Sequence, residues 1–181
     1  LKRHAMRPKD SFGQCFLVAA PVAQAIVAAV DARPDETVIE VGTGTGTLAS
    51  MLAPRCRQVI AIERDRDLVR GLLADGLPSN VTLVEADAAG YDYAAVAAAG
   101  PTALVGNLPY QITGKLLRAF LAPPVRWRVA VVMVLLSSSS RSRYSAIASS
   151  LSRKDSRIEL RSFTSASISP ATWRIKSMTS S

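Results

Sequence analysis

The chain has 181 residues, room for one domain with at most an appendage, and an apolar fraction of 49% that supplies a real core. Its net charge of +8 is lopsided: residues 1–134 carry 14 Lys and Arg against 12 Asp and Glu, residues 135–181 carry 8 against 2. Total charge is thus poor ground for a nucleic-acid partner. Two cysteines (Cys15 and Cys56) make no disulfide framework and suit a reducing compartment, and no apolar run reaches the ~20 residues of a membrane-spanning helix.

The chain opens on Leu1 rather than Met, which points to a start upstream or an unusual start codon. Lys2, Arg3, Arg7 and Lys9 make the first stretch basic: a frayed terminus, or an arm that touches phosphate. Phe12-Gly13-Gln14-Cys15-Phe16-Leu17 reads as an aromatic-rich loop. The run from Phe16 to Ala20 after a basic start has the outline of a signal peptide, but Pro21 and Gln24 interrupt it. Val22, Ile26 and Val30 instead mark one face of an amphipathic helix, closed by Arg33-Pro34.

Val38-Ile39-Glu40-Val41 then reads as a buried strand, followed by Gly42-Thr43-Gly44-Thr45-Gly46 and a helix to about Leu52. Glycines let the chain turn sharply and let a ligand lie on bare backbone. No Lys follows Gly46, so this is no P-loop, and the last slot of a dinucleotide fingerprint holds Thr47. Taken alone, E-x-G-x-G-x-G also fits a strand-to-helix turn without a ligand.

Val59–Glu63 is a second strand, and Asp65 caps a helix carrying Leu68, Leu72 and Leu73. Asn80–Asp87 is a third strand, 94–99 a short helix, Ala103–Gly106 a fourth strand, Ile112–Leu121 a helix and Arg128–Leu136 a fifth strand. This alternation predicts a mostly parallel, doubly wound α/β sheet. Ligands of such sheets bind at the carboxyl ends of the strands. Beyond Leu136 the character changes. All ten glycines lie before residue 115, and seventeen of the last 47 residues are serine. Periodicity fades, apart from Ile158 and Leu160 flanking Glu159. The composition predicts a disordered Ser/Arg-rich tail.

Glu40, Glu63, Asp87 and Asn107 all fall at strand ends, so the fold gathers them on one rim. Each acid alone is also a helix cap or a solvated loop residue. Glu63 lies 21 residues beyond Gly42, near the offset of ~20 at which an acid grips ribose hydroxyls. Asn107-Leu108-Pro109-Tyr110 is the most specific stretch. The Asn107 side-chain oxygen and the carbonyl of Leu108 or Pro109 can accept both hydrogens of adenine's exocyclic amine, localising its lone pair for attack on an electrophilic methyl. Pro109 stiffens the loop, and Tyr110 offers a face for an unstacked base.

In order and spacing, Phe12-Gly13-Gln14-x-Phe16-Leu17, Glu40-x-Gly42-x-Gly44-x-Gly46, Glu63-x-Asp65, Glu85-Ala86-Asp87-Ala88 and Gly106-Asn107-Leu108-Pro109-Tyr110 resemble the ribosomal-RNA adenine dimethyltransferase family over about residues 9–134. The resemblance implies a Rossmann-like S-adenosylmethionine-dependent methyltransferase fold. It implies N6-dimethylation of adenines in small-subunit ribosomal RNA, by a cytoplasmic monomer with no membrane association. It also implies that Cys15, Leu17, Gly42, Gly44, Glu63, Asp87 and Asn107 hold the cofactor: Gly42 and Gly44 its methionine end, Glu63 its ribose, Asp87 its adenine amine. Asn107, Leu108, Pro109 and Tyr110 would hold the target base. Cys15 stands where the family carries Asn or His, with a weaker hydrogen-bonding group.

The chain departs from the family after Met133-Val134, where Leu-Leu-Ser-Ser-Ser-Ser replaces the family's Gln-Lys-Glu-type segment and the strands beyond it. A reading-frame shift near residue 135 accounts for this, and sequencing the transcript across that codon decides it. The expected division is an arm and cofactor-contacting loop (1–17), a catalytic domain (18–136) and a tail (137–181), with the sheet truncated after its fifth strand. That strand would be left as a bare, aggregation-prone edge. Three alternatives stand beside this reading. One is a large-subunit rRNA adenine methylase of the macrolide-resistance type, although Leu108 rather than Ile mildly favours the small-subunit enzymes. Another is a non-catalytic RNA-binding assembly protein or inactive remnant, and the third a small-molecule methyltransferase.

Overall fold

A computed structural model describes residues 20–108, 112–122, 125, 127–134, 157–164 and 167–174. Helix α1 (Ala20–Val30) leads into strand β1 (Thr37–Val41), then α2 (Thr47–Leu52), β2 (Gln58–Glu63), α3 (Arg66–Asp75) and β3 (Val81–Glu85). After a short turn at Ala88–Gly90 come α4 (Tyr93–Ala98), β4 (Thr102–Leu108), α5 (Thr113–Leu121) and β5 (Val129–Val134). Strands β6 (Arg157–Thr164) and β7 (Ser167–Arg174) complete the described elements. They form one sheet in the order β3-β2-β1-β4-β5-β6-β7, parallel except for β7. The strand order reverses direction between β1 and β4, where a doubly wound sheet opens a crevice.

The apolar residues explain the layers. All five residues of β1 are buried, as a central strand covered on both faces requires. Ala23, Ile26, Val27 and Val30 of α1 pack with Leu48 and Leu52 of α2 on one face of the sheet. Leu116, Leu117 and Phe120 of α5 pack with Ile39, Leu104 and Trp127 on the other. Asp65 caps α3 by accepting from the amides of Asp67 and Leu68. Gly46, at φ +73°, allows the chain to enter α2, and a Cβ there would lie 2.8 Å from the Leu72 side chain. Gly46→Ala is therefore expected to cost about 1–2 kcal/mol in chemical denaturation, from left-handed strain and that contact.

Several boundaries move from the sequence expectation. Strand β4 runs on to Leu108, so Asn107 sits on the strand rather than in a loop. Asn80 precedes β3; its side-chain amide donates to the carbonyls of Ala53 (2.8 Å) and Cys56 (3.2 Å), which ties the two loops together. Helix α1 ends before Arg33-Pro34, where Asp31 takes φ +46°. The sheet also does not stop at β5. Strand β6 pairs in parallel with β5, Val129 opposite Arg157 through Met133 opposite Arg161, and β7 returns antiparallel to β6. Residues 157–164 and 167–174 lie in strands that continue the sheet past β5. The alternation from Arg157 to Leu160 is the sequence pattern that suits a strand. Expectations for the arm at 1–17, including Cys15 and Leu17, and for Pro109 and Tyr110 lie outside the described residues.

The end of the sheet away from the crevice is closed by a charged clamp. Glu36 is fully buried, and Arg128 meets it with both Nε and Nη2 at 2.7 Å. Arg128 Nη2 also donates to the carbonyls of Val30 (2.9 Å) and Asp31 (3.0 Å). The end of α1, the start of β1 and the approach to β5 thus meet at one guanidinium.

Candidate active site

The glycine turn after β1 is built to keep its backbone bare. Gly42, Gly44 and Gly46 all take positive φ (74°, 58° and 73°), which side-chain-bearing residues rarely adopt. The Gly42 amide donates to the Ile62 carbonyl at 2.9 Å, which pins the turn to β2. On its other side, a Cβ at Gly42 would stand 3.5 Å from the Asn107 carbonyl oxygen. Gly42 and the Asn107 backbone are therefore neighbours across the β1–β4 reversal.

Glu63 closes the other flank. Its Oε2 accepts from the Gly44 amide at 3.0 Å, and its Oε1 accepts from the amides of Arg64 (2.8 Å) and Asp65 (2.9 Å). Three backbone donors hold the carboxylate in place and leave about one of its roughly four acceptor positions for a ligand hydroxyl. The Glu63 carbonyl takes the Ala86 amide at 3.0 Å, bringing the end of β3 alongside. Asp87 follows. Its Oδ1 accepts from the Ala89 amide at 2.9 Å and caps the short turn at Ala88–Gly90. The side chain is held at one oxygen, and the other can meet a ligand amine.

Glu40 is a strand-end acid with a different position from the rest. It is 1% exposed, beneath the glycine turn. Burial pushes its carboxyl up to about 8; the Thr43 hydroxyl and the Ala49 amide work against this, and nearby Glu63 adds to it. Glu40 Oε2 and Thr43 Oγ1 remain buried without a hydrogen-bond partner among the described residues. Sequence reasoning put Glu40 at the rim but could not tell that its side chain turns inward. It missed Tyr93 altogether, a buried ring whose hydroxyl donates to the Ala88 carbonyl at 2.7 Å.

S-adenosylmethionine fits this set of groups. Bare turn backbone, a carboxylate held by three amides with about one acceptor position open, and a second carboxylate held at one oxygen occur in order along one rim. The residues expected to meet the cofactor that can be described (Gly42, Gly44, Glu63, Asp87 and Asn107) all come from strand ends or the turns that follow them. Among the described residues no group of His, Cys, Asp and Glu could hold a metal ion, and no helix is long and apolar enough to cross a membrane.

Comparison with known proteins supports this description. A "Ribosomal RNA small subunit methyltransferase A" from Laribacter hongkongensis is 44% identical over 117 residues, covering 65% of this chain and 44% of that protein. The chain spans about two fifths of the length of such curated relatives. Among solved structures, the 23S rRNA methyltransferase ErmE is 34% identical with a TM-score of 0.54, covering 61% of this chain and 44% of that one. A SAM-dependent O-methyltransferase from Thermotoga maritima shares the fold at a TM-score of 0.61 and 16% identity, covering 90% of this chain and 63% of that one. The family model described as "Ribosomal RNA adenine dimethylase" matches residues 5–164. With the glycine turn, Glu63 and Asn107 meeting at one strand reversal, the chain belongs to the ribosomal RNA adenine dimethylase family.

Proposed function

We propose that this chain carries the cofactor site and the target-base site of an enzyme that methylates N6 of adenines in small-subunit ribosomal RNA. The observation that carries this reading is the contact across β1 and β4: Gly42 lies against the Asn107 carbonyl while Gly44 is bonded to Glu63. Donor and acceptor sites thereby share one wall. When bound, S-adenosylmethionine supplies an electrophilic methyl on a sulfonium. The Asn107 amide oxygen and the carbonyl that follows in the chain accept the hydrogens of the adenine amine and turn its lone pair toward that methyl. Glu63 orients the ribose, Asp87 meets the cofactor's adenine amine, and Pro109 and Tyr110 stiffen and stack against the flipped base. Cys15 and Leu17 lie along the cofactor. The basic stretch in 1–17 contacts phosphate in the precursor RNA. On this reading the chain works as a monomer in the cytoplasm, where it would meet its RNA.

The test uses the full chain with S-adenosylmethionine and small-subunit RNA that lacks the modification. Calorimetry reads cofactor binding, and primer extension reads the methylated adenines. Asn107→Ala is expected to slow methyl transfer at least about tenfold. Unchanged transfer removes Asn107 from the chemistry. Stops only on large-subunit RNA would select the macrolide-resistance type of activity, and cofactor binding with no transfer to either RNA would select a non-catalytic role.

A further inference from the structure

We propose that Tyr93 is a positioning residue for the adenine end of the cofactor site, its hydroxyl holding the turn that carries Asp87. The inference rests on the cofactor reading above and extends it to a residue that touches no ligand. Tyr93 is 2% exposed, and its hydroxyl donates to the carbonyl of Ala88, the residue after Asp87, at 2.7 Å. Within the turn, Asp87 Oδ1 accepts from Ala89 at 2.9 Å and the Gly90 amide donates to the Asp87 carbonyl at 3.0 Å. Both bonds lie inside the turn. They shape it without fixing where it stands.

The Tyr93 bond supplies that fixed reference. Its ring is boxed edge-on by Tyr91, Phe120 and Trp127, with centroids at 5.2, 5.3 and 5.8 Å. Phe120 belongs to α5, and its carbonyl is bonded by Trp127 Nε1 at 2.7 Å, so the box is braced from outside the turn. A phenylalanine would fill the same box. The hydroxyl is therefore dispensable for packing and available for placing Ala88, and with it Asp87. Burial holds the phenol above its ordinary range, so it remains a donor through neutral and mildly alkaline pH.

The experiment compares binding of S-adenosylhomocysteine with its inosine counterpart, which replaces the 6-amino group by an oxygen, using the full chain. A site in which Asp87 accepts from the amine prefers the adenosyl compound by about tenfold or more. Tyr93→Phe is expected to cut that preference about three- to tenfold while the melting temperature stays within a few degrees. In an Asp87→Ala background, Tyr93→Phe is expected to change the preference no further. An unchanged preference in Tyr93→Phe, or an equal loss of affinity for both compounds, overturns the positioning role and leaves the cofactor reading intact. Failure of the unmodified chain to bind either compound overturns the cofactor reading and this inference with it.

Discussion

Arg128→Met is expected to destabilise the fold by about 3–5 kcal/mol, a large share of the stability of a chain this size. The reason lies in what remains. Glu36 is fully buried, and its two carboxylate oxygens accept from Arg128, with the Arg33 amide a further donor at 3.2 Å. Removing the guanidinium strands a charge in the protein interior and frees the carbonyls of Val30 and Asp31 as well. The expected signature in urea is a lower midpoint with an unchanged slope. Replacing both partners, as Glu36→Gln with Arg128→Met, is expected to recover much of the loss, since a neutral amide costs less to bury than an unpaired carboxylate. A loss below about 1 kcal/mol in the single variant would mean that the clamp does not hold the sheet's lower end together.

The second large effect is a pH dependence centred on Glu40. Its folded-state value near 8 lies above the ordinary 4.5. The folded protein keeps a proton that the unfolded chain gives up, so stability falls as pH rises between those two values and then levels off. The size is on the order of a few kcal/mol across that span. Glu40→Gln preserves the shape of the neutral acid and has no proton to lose. The variant is expected to melt higher than the unmodified chain above pH 8 and to show a flatter profile between pH 5 and 8. Melting curves at intervals of one pH unit check this; an identical slope in both proteins would place the titration elsewhere.

How much of this was legible beforehand depended on whether the signal was local. Glu63, Asp65 and the three glycines were readable because a strand end, a helix cap and a tight turn each leave their mark within a few residues. The neighbourhood of Gly42 and Asn107 followed from the parallel alternation, which puts successive strand ends on one rim. The Glu36–Arg128 clamp had no such mark, because its partners are remote in sequence and each looks like an ordinary surface charge. Tyr93 was hidden for the opposite reason: it stands in an alanine-rich stretch with no strong period, and its role depends on rings brought in by α5 and by the approach to β5. In 157–174 the local period is short and the surroundings serine-rich, and the pairing of 157–161 with β5 is a contact between segments remote in sequence. Local composition is a weak guide where a sheet edge offers a template.

The sheet order has a consequence for how the molecule is made. Strand β1 meets β2 early, but its other neighbour is β4, with Thr37 opposite Thr102, 65 positions later in the chain. A ribosome adding about 5–20 residues per second needs on the order of 3–13 s to cover that interval. Throughout it one side of the central strand has no partner, and the wall that Gly42 shares with Asn107 does not exist. No nucleoside can rescue the nascent chain in that interval. Protection from premature association has to come from whatever else meets the emerging polypeptide.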